Sequence, residues 1–365
     1  MSTSVPLIEH AKVSAYRVPT ETPESDGTLE WKETILVLVE VVAGGTSGLG
    51  YTYADTATGL LLKDKLLPQL VGRDPTAIEA ISAELSNQLR NLGQSGVSAM
   101  AISALNIALW DLKSKLLGVS VAKLIGRARD CIQVYASGGF TSYSLQELRE
   151  QVSSWTEQEF DLVKIKIGRC AEKDTERIDA AKRSMTKSMS LFVDANGAYG
   201  RAQASETANH LVNHSVKWFE EPVHSTDLEG LNILRTQGYP GLAISAGEYG
   251  FEPHYFRRML EAQAVDVIQA DATRCAGISG FLKVAALCEA FDTPLSSHCA
   301  PTLHMHLCCS TRPACHLEYF YDHARIEKRL FDGVPEVERG FLSPDWDRPG
   351  LGIEFKYSDA SEYRI

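Results

Sequence analysis

The run LVKIKIG at residues 162–168 is one of a series of short apolar stretches that each end in polar or small residues, and it is followed by LFVDANG (191–197), VKWFEEP (216–222) and LAISAGE (242–248). Four more runs of this kind lie at 132–139, 265–271, 293–298 and 315–320, and helical patterns such as 145–159 and 279–291 separate most of them. A strand and a helix that recur roughly every 20–30 residues are typical of a βα unit. Eight units favour a closed (β/α)8 barrel over an open doubly wound sheet.

The residues before the barrel pattern predict a smaller α+β unit. Two apolar, β-branched runs at 11–18 and 34–42 are separated by a polar stretch, 19–33, that contains Pro and Gly as turn formers. Two helical patterns follow at 75–92 and 98–118. We therefore expect an N-terminal α+β domain at 1–129, a barrel at 130–323, and a C-terminal segment, 324–365, that returns to the first domain.

Composition excludes several classes of protein. The chain has 365 residues, a net charge of −11, and apolar and charged fractions of 44% and 23%, which are typical of soluble globular proteins. The negative charge argues against a nucleic-acid or membrane-surface partner. The N-terminal residues 1–19 carry no secretory pattern, and the eight cysteines include no CxxC pair, so we expect a cytoplasmic protein with reduced, mostly buried thiols.

Carboxylates close three successive strands of the predicted barrel. Asp194, Glu220 and Glu248 each fall where a strand ends, and the chemistry of such barrels sits at that face. Three converging anions repel one another unless a cation lies among them, and an all-oxygen set favours Mg2+ first and Mn2+ second. The pair Glu220 and Glu221 leaves the second ligand open, because alternation along a strand turns only one of them inward.

Basic side chains accompany these carboxylates. Lys164 and Lys166 are two residues apart, so both point into the barrel. Two adjacent ammonium groups near a cation are expected to lower a lysine pKa and to make one lysine a general base. Asp271 and His298 end adjacent strands, and a carboxylate behind an imidazole fixes its tautomer and raises its basicity.

Other polar residues near the same mouth are candidates for substrate contacts. Glu318, on the eighth strand, is expected to donate a hydrogen bond or to position a substrate oxygen. Arg274, just past the sixth strand, is a candidate for binding an anionic substrate end. His304 and His306 follow the seventh strand, and the sequence does not decide whether they reach the pocket.

At this point the sequence resembles the enolase superfamily, and specifically its mandelate racemase subgroup. The resemblance covers nearly the whole chain and rests on motifs in the family's order: ALWDLKSKLLG (108–118), KIKIG (164–168), VDANGAY (193–199), WFEEP (218–222), AGE (246–248), QADATRCAGISG (269–280) and SSH (296–298). It implies an α/β fold, a modified (β/α)8 barrel with an α+β capping domain that both chain ends build.

The resemblance also implies roles for the site residues. It implies Mg2+ on Asp194, Glu220 and Glu248, bases at Lys166 and His298, and Asp271 behind His298. Lys164 and Glu318 would bind and polarise a substrate carboxylate. Such enzymes remove the proton α to a carboxylate and stabilise the enediolate with Mg2+. The further residues that we expect to contact substrate are Asn196, Arg274, Ser137 and Tyr51.

The substrate is the least determined feature. In the family that the chain resembles, capping-domain loops set specificity, here 18–33 and 51–60, and the first is rich in Thr, Glu, Ser and Asp. A polyhydroxylated acid fits such a loop better than mandelate does. We therefore predict a hydro-lyase that converts a sugar acid to a 2-keto-3-deoxy acid, most simply as a homo-oligomer.

Alternatives to a sugar-acid dehydratase remain open within the superfamily. A racemase, an epimerase or a lactone cycloisomerase would share the first step. A binder without activity would require a broken constellation, and no expected position is missing. A zinc hydrolase would require His-x-His on the first strand, where residues 136–138 read Ala-Ser-Gly.

Overall fold

The structure, a computed structural model, describes residues 5–365, so the first four residues of the predicted N-terminal domain lie outside it. The chain begins with an antiparallel sheet in the order β1–β2–β3, followed by helices. The strands are β1 Ile8–Ser25, β2 Glu30–Ala43 and β3 Thr46–Tyr53, and the helices are α1 Thr56–Leu61, α2 Ile78–Gln88, α3 Val97–Leu116 and α4 Val121–Ile125. A π-helical turn at Leu62–Leu66 and 3₁₀ turns at Leu67–Gln69 and Arg90–Leu92 join them.

Eight parallel strands then close into a barrel, because the eighth strand pairs with the first. They are β4 Ile132–Gly138, β5 Leu162–Lys166, β6 Ser190–Asp194, β7 Trp218–Glu220, β8 Ala243–Ala246, β9 Val267–Ala270, β10 Leu295–Ser297 and β11 Ala314–Phe320. The helices that follow them are α5 Leu145–Glu157, α6 Ala171–Ser184, α7 Arg201–Asn213, α8 Leu228–Gln237, α9 Pro253–Glu261, α10 Gly277–Ala290, α11 Pro301–Ser310 and α12 Tyr321–Leu330. The predicted modified (β/α)8 barrel with an α+β cap is confirmed.

The C-terminal segment contacts both the cap and the barrel. It contains β12 Phe331–Asp332, β13 Phe341–Leu342, β14 Glu354–Phe355, α13 Tyr357–Ala360 and a 3₁₀ turn at Ser361–Tyr363. The ring of Phe355 packs 4.8 Å from that of Tyr16 on β1, and the backbone N–H of Ile365 donates to Ala15. β13 pairs instead with β4 of the barrel. Because α12 runs through residue 323, the chain does not break there, and the division into domains stays a prediction.

The polar stretch 19–33 was expected to be a loop, and this is wrong. β1 extends to Ser25 and β2 starts at Glu30, so most of the stretch is a hairpin, with an irregularity where the pairing passes from Pro19–Glu33 to Glu24–Trp31. Polar residues are compatible with these strands because most side chains at 19–23 and 30–33 are exposed. β3 was also missed, and it takes in the first residues of the predicted 51–60 loop.

The sequence pattern does not reveal β3 because it contains glycines, which are rare in strands and here allow close packing against a helix. A Cβ on Gly50 would lie 2.1 Å from the carbonyl oxygen of Ala104, and one on Gly48 would lie 2.3 Å from that of Ala108. Both carbonyls belong to α3, so the two glycines let the helix lie directly on the sheet. The opposite face of β3 carries Leu49 and Tyr51, which pack into the core shared with the barrel.

Within residues 5–365, none of the helices is both long and apolar enough to cross a membrane. All eight cysteines are free thiols, and five of them are buried.

Gly50→Ala is expected to lower the free energy of unfolding by about 2 kcal/mol or more, because the added methyl group meets a helix backbone that cannot rotate away. Gly200→Ala is the matched control, since that glycine has φ of −75° and a methyl group added to it would have nothing within 4 Å. Urea denaturation followed by circular dichroism gives both values. Equal midpoints for the two variants would contradict the close packing of β3 on α3.

Candidate active site

The ionisable residues predicted from the strand ends meet at one mouth of the barrel. Lys164 and Lys166 lie on β5, Asp194 and Glu220 are the last residues of β6 and β7, and Glu318 lies on β11. Glu248, Asp271 and His298 follow the ends of β8, β9 and β10 within two residues. All eight of these side chains are buried. The parallel strands of the barrel therefore bring together charged residues that lie in separate motifs of the sequence.

Asp194, Glu220 and Glu248 form a group that suits a metal ion. One carboxylate oxygen from each lies within 4.8 Å of the other two. The Oε2 atom of Glu248 has no hydrogen-bond partner although it is buried, which is costly for an anionic oxygen unless a cation completes its contacts. The donor set is all carboxylate oxygen, as a hard divalent ion requires. The residues present therefore fit Mg2+.

The structure separates Glu220 from Glu221. Glu220 faces the barrel interior, where it accepts hydrogen bonds from Lys164, Trp218 and Gln269. Glu221 follows the strand with φ of 37°, and its Oε1 atom has no partner. Burial, followed by the charges of Glu248 and Asp194, raises the pKa of Glu221 well above its ordinary value. The geometry thus brings Glu220, and not Glu221, into the carboxylate group.

Excess negative charge is the main electrostatic property of this mouth. Three basic side chains, those of Lys164, Lys166 and Arg274, face six buried carboxylates, which are Asp194, Glu220, Glu221, Glu248, Asp271 and Glu318. Burial, followed by the charge of Asp194, raises the pKa of Glu220 well above its ordinary value even though Lys164 opposes the shift. Burial also disfavours the charge of Asp194, but Lys166 and Lys164 outweigh it and lower the pKa of Asp194.

For the protein side chains alone, the expected fall of a lysine pKa is wrong. Lys164 Nζ lies 2.7 Å from carboxylate oxygens of both Glu220 and Glu318, and Lys166 Nζ lies 2.5 Å from Asp194 Oδ2. Burial disfavours the ammonium forms, but these carboxylates outweigh burial and raise the pKa of both lysines. The prediction considered the repulsion between the lysines and underestimated their anionic neighbours.

His298 and Asp271 make the predicted pair. His298 Nδ1 lies 2.8 Å from Asp271 Oδ2, which leaves Nε2 directed towards Glu248 Oε2 at 3.5 Å. Asp271 also accepts from the N–H and hydroxyl of Thr273. Burial alone would raise its pKa, but the bond with His298 and the imidazole's charge lower the pKa of Asp271. The carboxylate therefore stays ionised and fixes the orientation of the imidazole.

Glu318 is held as an acceptor. Its carboxylate receives the Lys164 ammonium, the Ser137 hydroxyl at 2.7 Å and the backbone N–H of Cys299 at 2.8 Å. Burial opposes the charge, but Lys164 outweighs it and lowers the pKa of Glu318. Of the two roles expected for Glu318, donation of a hydrogen bond does not fit an ionised carboxylate, whereas the positioning of a substrate group does.

A cavity of about 380 Å³ opens above these residues, between the barrel mouth and the cap. Its size lies in the range of small-molecule sites. From the barrel it is lined by Lys166, Asn196, Glu248, Tyr249, Arg274, His298, Cys299, Glu318, Phe320 and His323, and from the cap by Asp26, Leu29, Trp31, Glu33, Thr34, Ile35, Tyr53, Ala54 and Asp55.

The predicted substrate contacts divide in two. Asn196, Arg274 and Glu318 line the cavity, whereas Lys164 and Ser137 lie beneath it in contact with Glu318. Tyr51 is fully buried and donates its hydroxyl to Glu327, so the structure does not bring it to the cavity. Tyr53, two residues further along the same face of β3, lines the cavity in its place. No signal in the sequence distinguishes these two tyrosines.

Hydrogen bonds show where His304 and His306, which the sequence left open, are held. His304 Nε2 accepts from the backbone N–H of Ala272, and burial lowers the pKa of His304. His306 Nε2 bonds to the carbonyl of Leu351. Both are fully buried and lie outside the cavity lining. His323, which sequence reasoning missed, lines the cavity and stacks on Tyr53 with ring centroids 3.4 Å apart.

Comparison with known proteins accounts for this arrangement. The family described as "Enolase C-terminal domain-like" matches residues 147–360, and the N-terminal domain of the mandelate racemase / muconate lactonizing enzyme family matches residues 10–126. The L-talarate/galactarate dehydratase of Salmonella typhimurium is 31% identical over 95% of this chain and 88% of its own. The D-galactarolactone cycloisomerase of Agrobacterium fabrum is 29% identical over 94% of this chain and 95% of its own.

Solved structures show the same architecture. A mandelate racemase/muconate lactonizing enzyme-like protein of Rubrobacter xylanophilus has a TM-score of 0.96 and 47% identity, over 99% of this chain and 100% of its own. The L-talarate dehydratase of a Polaromonas species, complexed with Mg and L-glucarate, has a TM-score of 0.90 and 29% identity, over 98% and 97% of the two chains. The barrel, the cap and both family matches agree: this chain is an enzyme of the enolase superfamily and belongs to its mandelate racemase subgroup.

Proposed function

We propose that the protein is a magnesium-dependent dehydratase that converts a sugar acid to a 2-keto-3-deoxy acid. The observation that carries the proposal is the lining of the cavity, where Lys166 and His298 share one space with Glu248 and with polar side chains of the cap. Two relatives are named for sugar acids or a lactone of one, namely L-talarate and galactarate, and D-galactarolactone. A racemase, epimerase or lactone cycloisomerase is the alternative, which the cycloisomerase relative favours.

Asp194, Glu220 and Glu248 would hold the ion, with Mn2+ as a second choice. When bound, Mg2+ supplies a Lewis acid that polarises the substrate carboxylate and stabilises the charge that develops there. The Lys164 ammonium, fixed between Glu220 and Glu318, adds a permanent positive charge beneath the same region. These groups make the proton next to the carboxylate easier to remove.

The protein side chains carry the proton transfers. A neutral Lys166 takes the proton from the carbon α to the carboxylate, and the electron pair of that C–H bond moves into the carboxyl group. The pair then returns to form a carbon–carbon double bond as the C–O bond at the β carbon breaks. Protonated His298 donates to the departing hydroxyl, which leaves as water, and the enol product tautomerises to the keto acid. Asp271 holds the imidazole in place throughout.

Lys166 and His298 reach the cavity from different sides. β5 and β10 are separated by two strands in one direction around the barrel and by four in the other. A dehydratase in which acid and base face opposite sides of the substrate removes the proton and the hydroxyl on opposite faces. The same placement lets a racemase use the two residues on the two enantiomers, so both functions remain compatible with it.

The cap side of the cavity supports an acid with a neutral, hydroxyl-rich end. Among the described residues, the lysine and arginine that line the cavity are Lys166 and Arg274, both on the barrel side, while the cap contributes Asp26, Glu33 and Asp55. Carboxylates accept hydrogen bonds from hydroxyl groups but repel a second carboxylate. We infer that aldonates suit the cavity better than aldarates do. A cytoplasmic location and a homo-oligomeric state remain predictions.

Removal of divalent ions with EDTA is expected to abolish turnover, and Mg2+ is expected to restore it. Glu248→Gln should lower kcat/KM by about 10³-fold or more, because a ligand and its charge are lost. Added Mg2+ should also raise the melting temperature of the wild type through binding to the folded state, but not that of Glu248→Gln. Glu206→Gln, at an exposed position on α7, is the control. Wild-type activity in Glu248→Gln would exclude the three-carboxylate site.

Substrate polarity is tested with a panel of hexonates, the aldarates of matching configuration, and mandelate, measured by keto-acid formation and by exchange of the α proton. The best hexonate is expected to exceed its matching aldarate in kcat/KM by about tenfold or more, since facing like charges cost on the order of a few kcal/mol. Mandelate should exchange more slowly than either. Preference for aldarates would contradict the charge argument, and preference for mandelate would contradict a sugar-acid substrate altogether.

Proton NMR in D2O with a confirmed substrate distinguishes the proposed roles of Lys166 and His298. Lys166→Ala is expected to lose both α-proton exchange and product, by about 10²–10⁴-fold. His298→Asn should lose keto-acid formation but retain exchange through Lys166. Lys187→Ala, at an exposed lysine, is the control.

A racemase gives a different pattern in the same experiment. Both variants then lose racemisation, and each retains exchange on one enantiomer. Wild-type exchange and turnover in both variants would show that neither residue transfers a proton.

A further inference from the structure

A second group of potential metal ligands lies in the same cavity and has no part in the proposed reaction as a set. His298, Cys299 and Glu318 each offer an atom that lies within 4.8 Å of the other two. Cys299 Sγ is 3.3 Å from His298 Nε2, and Glu318 Oε2 is 4.0 Å from that nitrogen. All three side chains are buried and line the cavity.

The ligand types differ from those of the carboxylate group. A thiolate, an imidazole and a carboxylate are the ligands that Zn2+ takes, with a tetrahedral arrangement and bonds of about 2.0–2.3 Å. Tetrahedral bonds of this length place ligand atoms about 3.3–3.8 Å apart, close to the 3.3 Å between Cys299 Sγ and His298 Nε2. Mg2+ avoids sulfur, so the chemistry of the donors separates the two sites.

The hydrogen bonding of His298 points to an ion at this place. His298 Nδ1 is bonded to Asp271, which is the usual support of a metal-binding histidine and leaves Nε2 directed at the site. Glu248 Oε2, which belongs to the proposed Mg2+ site, lies 3.5 Å from the same Nε2 atom, so the two sites are adjacent.

The backbone places the thiol next to the imidazole in an unusual way. Cys299 and Ala300 have φ of 51° and 40°, in the left-handed region that residues with a Cβ seldom adopt. The N–H of Cys299 is fixed by Glu318, so the turn ties two of the three ligands together. The cavity supplies an open fourth position through which an ion enters.

We propose that His298, Cys299 and Glu318 form a zinc-binding site that, when occupied, blocks the active site of the Mg2+-loaded enzyme. Zn2+ displaces the thiol proton of Cys299 to solvent as the zinc–sulfur bond forms. Where His298 Nε2 carries a proton, that proton also leaves to solvent; the zinc then takes the lone pair of Nε2, so the imidazole no longer transfers a proton. The binding itself is independent of the proposed function, whereas the inhibition rests on it.

Cobalt is the probe for binding, because a Co2+–thiolate bond gives a charge-transfer absorption in the near ultraviolet. The Mg2+-saturated wild type is expected to develop this band up to a single equivalent of Co2+, and added Zn2+ should remove it. Cys299→Ser should lack the band, and Cys131→Ser, at an exposed thiol, should keep it. Absence of the band in the wild type, or its persistence in Cys299→Ser, would overturn the proposal. This readout needs no turnover.

A measurement on the wild type alone guards against a variant that misfolds. Alkylation of Cys299 by iodoacetamide, followed by mass spectrometry of the Mg2+-saturated protein, should be slowed at least about tenfold by Zn2+, while alkylation of Cys131 stays unchanged. Equal rates with and without Zn2+ at Cys299 would overturn the site. With a confirmed substrate, Zn2+ should inhibit the wild type, and inhibition of Cys299→Ser, relative to its own zinc-free rate, should need at least about tenfold more Zn2+.

Discussion

Compensation of buried negative charge is the constraint on which the active end of this barrel depends. Removing a carboxylate from water costs several kcal/mol unless cations or hydrogen bonds replace the lost solvation. Six carboxylates meet at the mouth, and Lys164, Lys166 and Arg274 compensate only part of their charge. The raised pKa values of Glu220 and Glu221 reflect burial and the negative charge that these cations leave uncompensated. The electrostatics of the mouth therefore favour the divalent cation that we propose for the carboxylate group.

The two lysines differ in their anionic partners and in their access to the cavity. Lys164 is enclosed by Glu220 and Glu318 and has no access to the cavity, so it serves as a fixed positive charge. Lys166 lines the cavity, and its close anionic partner is Asp194. Asp194 raises the pKa of Lys166 as long as its charge has no other partner. A cation bound by Asp194 would weaken the attraction between Asp194 and the Lys166 ammonium. Occupancy of the carboxylate group and the pKa of Lys166 are therefore coupled.

Periodicity predicted the barrel and most of its site, because residues at the ends of parallel strands must meet. Lys166, Asp194 and His298 follow from that rule alone, whereas the choice of Glu220 over Glu221 does not. The sign of the lysine pKa shifts did not follow, since it depends on distances of 2.5–2.7 Å that spacing does not specify. The cap was harder to predict: its hairpin is polar, β3 contains glycines that pack against a helix, and Tyr51 and Tyr53 differ only in how far along one strand they lie.

The division of labour between barrel and cap explains why reaction type is easier to infer than substrate. The barrel residues are fixed by backbone register and by mutual ion pairing, so a change in one disturbs the charge balance of all. The cap residues Glu33 and Asp55 are exposed, and Glu33 pairs with the exposed Arg17. Exposed ion pairs contribute about 0–1 kcal/mol, so such positions are replaced at little cost in stability. The proposed preference among acids therefore rests on residues that the fold constrains least, with the charge on each wall of the cavity as the physical property that limits the choice.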